Sequence, residues 1–74
     1  MTFEETEVLL STIKAAFYGY DYSDHTVHTW YKVLQHYEYG QVNQRLYDYI
    51  RLFSHHPGLN ELVAGLAPRE SILH

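Results

Sequence analysis

The residues of this chain best equipped for chemistry are its six histidines. His25 and His28 stand three apart, a spacing that brings two side chains to one face of a helix. Asp24 or Asp21 could add an oxygen ligand, and imidazole with carboxylate suits zinc. The competing reading is a polar helix face in solvent. It is the stronger one, because ligand-like spacings arise readily without a full ligand set. His55 and His56 are adjacent and point apart on a helix; they fit a helix C-terminus, where imidazolium interacts favourably with the dipole. His36 stands apart from the other histidines in the sequence. Nucleophilic catalysis fares worse, since no glycine-rich elbow surrounds Ser11, Ser23, Ser54 or Ser71. Neither a phosphate loop nor a dinucleotide fingerprint is present. A chain this small also has little room for a substrate cavity of several hundred Å³. The sequence therefore predicts a protein that is not an enzyme and needs no metal or cofactor.

Tyrosine offers a different chemistry, that of contact. The chain has eight, and several fall in the stretch Trp30-Tyr31, Leu34, Tyr37-Glu38-Tyr39, Val42, Leu46, Tyr49-Ile50, which closes at His56-Pro57. Each has a large apolar ring and one hydroxyl, so it can build a core or face a partner. Which of these it does depends on the elements that hold it.

Thr2-Phe3-Glu4-Glu5 fits a capping box that opens a first helix. Phe3, Leu9, Leu10, Ile13, Ala16 and Phe17 then recur at helical spacing and form one apolar face, with Val8, Lys14 and Tyr18 at its edge or outside it. Gly19 is a natural stop. Ser23 or Asp24 starts a second helix whose buried stripe is Val27, Trp30, Tyr31 and Leu34, ending around Tyr37 to Gly40. A third helix carries Val42, Leu46, Tyr49, Ile50 and Phe53 on one face and is broken by His56-Pro57. Leu59 to Leu66 adds a short fourth, with Leu59, Leu62, Val63 and Leu66 inward. The expected fold is all-α, a compact bundle of three helices plus a short fourth C-terminal helix. Residues 1–67 form the helical interaction domain and 68–74 a short flexible tail. Trp30 is expected to be buried, so that Trp30→Ala would unfold the domain at a cost of roughly 3–5 kcal/mol.

Composition narrows the function classes. At 74 residues the chain is near the lower limit for a self-sufficient core, and with no cysteine it has no disulfide or thiolate staple. Association with a partner or a second copy would support such a core. Nine acidic residues against five basic give a net charge of −4. The cations, Lys14, Lys32, Arg45, Arg51 and Arg69, are scattered, which argues against direct nucleic-acid binding. No apolar run approaches the roughly 20 residues of a membrane span, and the acidic start does not resemble a secretory signal. A soluble protein of the cytoplasm is expected. Tyr18, Tyr22, Tyr47 and Leu52 fall outside the core stripes, and Ile72 and Leu73 lie at the C-terminal end. These six are the candidate partner-binding residues.

The run Val27-x-x-Trp30-Tyr31-x-x-Leu34, Tyr37-x-Tyr39-x-x-Val42, Leu46, Tyr49-Ile50 and Pro57, with Leu59-x-x-Leu62 beyond, resembles the small phage proteins that act as replicative helicase loaders and inhibitors. The resemblance covers residues 3 to 66. It implies a helical adaptor that holds a DnaB-type replicative helicase, or its AAA+ loader, in an inactive or loadable state inside the bacterial host. Most of the shared positions are core, so they speak for fold before partner. The family type adds a long polar tail that contributes to helicase contact, whereas about eight residues follow Leu66 here. The folded domain is therefore expected to make the grip, which favours a loader-directed inhibitor. The alternatives are an inhibitor or antitoxin-type binder of another host protein, and a histidine-based metal-binding regulator.

Overall fold

The computed structural model describes residues 1–68, and its helices follow the local signals closely at their starts. Helix α1 spans Phe3–Ala16. Thr2 Oγ1 accepts the Glu5 amide at 3.1 Å, while the Glu5 carboxylate accepts the Thr2 amide at 2.8 Å. This reciprocal box satisfies two amides that the first turn leaves without partners. The chain leaves α1 at Phe17, which is extended (φ −120°, ψ 121°), and turns through Gly19 at φ +87°. Only glycine takes that backbone angle without strain.

Helix α2 spans Asp24–Leu34. Ser23 caps it, exchanging hydrogen bonds with Thr26: Ser23 Oγ accepts the Thr26 amide, and Thr26 Oγ1 accepts the Ser23 amide at 3.2 Å. The helix stops at Leu34, before the Tyr37–Gly40 end expected from sequence. Its last carbonyls are satisfied locally, Tyr31 O by the Gln35 amide at 2.8 Å and Leu34 O by the Tyr37 amide at 2.9 Å, and just beyond them the Met1 ammonium donates to Tyr37 O at 2.7 Å. A cation there opposes the negative end of the helix dipole.

Helix α3 spans Tyr39–Leu52, and α4 spans Leu59–Val63. No side chain caps α3, whose N-cap residue is Glu38. Helix α3 ends at Leu52, short of the His56-Pro57 break, because Phe53 already adopts an extended conformation (φ −128°, ψ 152°). The segment that follows buries Pro57 and returns α4 against α3. The Gly58 amide donates to the Glu61 carboxylate at 2.7 Å, and Arg45 reaches Glu61 O at 3.3 Å to tie α4 down. Among the described residues there is no strand.

Helix α1 packs on α2 and α3, and α4 packs on α3. Between them lies the core: Leu9, Leu10, Ile13, Phe17, Val27, Leu34, Val42, Leu46, Tyr49 and Leu62. Thr6 is also fully buried. Its hydroxyl donates to Thr2 O at 3.1 Å, which removes the desolvation penalty an unpaired hydroxyl would carry. The radius of gyration, 12.0 Å, is near the roughly 11 Å expected of a compact chain of this length.

Several positions assigned to the core stripes sit elsewhere. Trp30, Tyr31 and Ile50 are half-buried, at the rim of the core and not at its centre. Tyr31 meets the Phe3 ring edge-on at 5.6 Å, which seals α1 to α2 from outside. Ala16, the last residue of α1, is exposed, because α1 gives way to extended chain immediately after it. Phe53 is 48% exposed, since the extended backbone at the end of α3 carries it off the helical stripe. A single-period projection cannot anticipate those departures. The consequence for Trp30 is direct: its removal empties no enclosed site.

Candidate functional site

One face of α1 is left uncovered. Glu4, Glu7, Val8, Ser11 and Ala15 recur on it every three or four residues or beside one another, and all five are exposed. The loop before α2 brings Tyr22 to this face, and α3 brings Tyr47. Together Glu7, Val8, Ser11, Thr12, Ala15, Tyr22 and Tyr47 line an open groove of about 540 Å³. Its floor is made of small side chains. Thr12 Oγ1 donates back to Val8 O at 3.0 Å, so its hydroxyl is satisfied within the helix.

Tyr22 is held in place by a local network. Asp21 Oδ1 accepts the Tyr22 amide at 2.8 Å and lies 3.2 Å from Lys14 Nζ. The ammonium also sits 5.9 Å from the centre of the Tyr22 ring. The Tyr22 amide first, and Lys14 second, hold the Asp21 carboxyl below the usual carboxylate range. Tyr22, expected to be exposed, is half-buried and packs against the core while still lining the groove. Tyr47 is 49% exposed on the other wall.

The remaining candidates do not join this site. Tyr18 is fully exposed beyond the end of α1, and Leu52 is exposed on α3. The five-residue step from Tyr47 to Leu52 turns the helix by about 140°, so the two lie on different faces. Leu52 instead neighbours Phe53, whose ring lies tilted against Tyr49 at 4.4 Å and against His55 at 5.9 Å. Ile72 and Leu73 lie outside the described residues. A second open depression, of about 530 Å³, lies along α3 near Leu66 and includes Gln44 and Asp48. Gln44 donates to Asp48 at 3.3 Å and Arg51 pairs with Asp48 at 2.8 Å.

Among the described histidines, His28, His55 and His56 each make ring or backbone contacts. His28 Nδ1 is 2.9 Å from Asp24 O, and its ring packs on Phe3 at 5.0 Å. Among the described residues, no three His, Cys, Asp or Glu side chains are grouped to hold an ion. His55 and His56 lie beyond the end of α3, so they pack on rings and do not cap the helix: His55 on Tyr49 and Phe53, His56 on Tyr20 at 4.6 Å. The floor of the groove lies outside the candidate residues expected from sequence. Val8, Ser11 and Ala15 carried a usable signal, a row of small residues at helical spacing on the polar side of α1.

A family model for the N-terminal domain of the phage protein gp39 matches residues 1–63, a span that holds all four helices and the whole groove. The chain belongs to the gp39 N-terminal domain family. That family is one of phage helicase-loader inhibitors, typified by gp39 of phage SPP1, which makes this a phage helicase-related protein. Comparison with curated proteins and with solved structures gives no match. In this gp39-type domain the resemblance carried by Trp30-Tyr31, Leu34, Tyr37-x-Tyr39 and Tyr49-Ile50 is a resemblance of core and core rim.

Proposed function

We propose that this domain binds a replication ATPase, either the host's AAA+ helicase loader or a DnaB-type replicative helicase, and inhibits or modulates helicase loading and so DNA replication. It acts by occupying a protein surface and catalyses no reaction. Its place of action is the cytoplasm of the infected bacterium; no described helix is long and apolar enough to cross a membrane. The observation that carries this reading is the family match over residues 1–63. The uncovered groove between Tyr22 and Tyr47 supports it, since aromatic side chains flanking a small-residue floor are the usual anchors of a protein contact. The scattered cations support a protein partner over DNA.

The test is co-migration. Purified protein is mixed separately with a host helicase loader and with a DnaB-type helicase and run on a sizing column. A shift of the small protein into the fraction of either ATPase is the expected result, together with reduced helicase loading on single-stranded DNA. Migration as a free small protein in both mixtures overturns the reading.

A further inference from the structure

The groove is shallow and open, and its lining follows one face of α1. From Glu7 to Ala15 it runs along about 12 Å of α1, or two turns. Ser11 and Ala15 stand one turn apart on the floor, so a second backbone can approach closely there. Tyr22 and Tyr47 wall the two sides. Glu7 lines one end, and Glu4 lies one turn further along the same face. Neither carboxylate has an ion-pair partner among the described residues. The nearby cation, Lys14, is matched by Asp21 at 3.2 Å. The site is therefore of mixed polarity with small side chains at its centre, and negative at one end.

From this complementarity we infer that the groove takes an amphipathic helix of the partner ATPase, one that presents a bulky apolar side chain between Tyr22 and Tyr47 and a Lys or Arg toward Glu7 and Glu4. The inference rests on the reading of this protein as a binder of a replication ATPase and specifies the chemistry of the element it grips. A helix suits the site better than a strand, because the groove follows a helix face and offers no sheet edge. The basic flank follows from two carboxylates that are unpaired among the described residues at one end, and a lining that holds no cation.

Two arms test it. In the first, the ATPase that co-migrates with the wild type is titrated with Ala15→Trp, which fills the floor, with the Glu4→Lys/Glu7→Lys double variant, and with Leu52→Ala as a control outside the groove. Ala15 is exposed, and far-UV circular dichroism confirms that the Trp variant is folded; Ser11→Arg is the second blocking variant. Both blocking changes and the charge reversal should lower affinity at least about tenfold, and Leu52→Ala should leave it unchanged. Wild-type affinity in the groove variants overturns the inference while leaving the proposed function intact.

In the second arm, a synthetic Leu/Lys amphipathic peptide of roughly 18 residues, long enough to hold a helix, is added to the free protein and amide shifts are mapped by NMR. Shifts centred on Val8, Ser11, Ala15, Tyr22 and Tyr47, absent with a Leu/Glu peptide, support the site. Shifts centred on Leu52 and Phe53, equal binding of the Leu/Glu peptide, or concentration-dependent shifts of the groove without peptide overturn it, the last because a second copy is then the occupant. Should neither ATPase bind the wild type, the proposed function fails and the peptide map alone decides the groove.

Discussion

Side chains that look alike in this sequence have different energetic roles. Leu46 is fully enclosed, so Leu46→Ala should cost about 2–5 kcal/mol in chemical denaturation, cavity included. Trp30 is half-buried at the rim, and Trp30→Ala should cost less than Leu46→Ala and leave a folded helical protein. Tyr47→Ala removes a ring that is half in solvent, so its melting temperature should hold while partner affinity falls. Tyr49 is a third case. Its ring is in the core, and its hydroxyl is buried with no partner in hydrogen-bonding geometry. Burial first, and the Glu61 carboxylate second, raise its pKa above the ordinary 10.0. The protonated form is thus the one the fold prefers: the contribution to stability is complete below the unfolded value of 10.0 and is lost as pH rises through the higher folded value. Tyr49→Phe should keep or raise the melting temperature and flatten that alkaline loss; a lower melting temperature would show that the hydroxyl bonds Glu61. The burial of Leu10, Ile13, Val27, Leu34, Val42 and Leu46 was legible from spacing alone. The position of Trp30 was not, because a half-buried ring and a buried one occupy the same helical register.

Helix starts were readable because caps are local chemistry. Thr2 with Glu5 and Ser23 with Thr26 each satisfy first-turn amides within four residues of sequence. Ser23→Ala should destabilise by about 1 kcal/mol in thermal or denaturant unfolding. Helix α3 offers the converse experiment, as Glu38 makes no side-chain cap bond. Glu38→Asp should gain roughly 0.5–1 kcal/mol, measured the same way. Helix ends were less readable. Gly19 signalled the end of α1 through its own backbone freedom. Helices α2 and α3 end without a glycine of that kind: the last α2 carbonyls are taken by the Gln35, His36 and Tyr37 amides, and Phe53 is already extended after α3. Neither stop has a sequence signature as plain as the caps.

At the scale of the molecule, charge and surface decide how a partner is met. A net charge of −4, with Glu7 at one end of the groove and Glu4 one turn beyond it, neither ion-paired among the described residues, predicts binding that weakens as salt rises through screening. Titrations of the co-migrating ATPase between low and high salt should show that loss for the wild type and a smaller slope for Glu4→Lys/Glu7→Lys. A slope identical in both would place the electrostatic contact elsewhere. The all-α class, the four helices, most of the core and the family were all determined by the sequence itself, because helical periodicity and capping are encoded at separations of roughly two to eight residues. Only the tertiary structure decided which exposed tyrosines act together. Tyr22 and Tyr47 lie far apart in the chain and sit on different elements, and they share a site because α1 meets the loop through Lys14 and packs on α3. The α1 face from Val8 to Ala15 joins those two rings in one site only in the folded molecule.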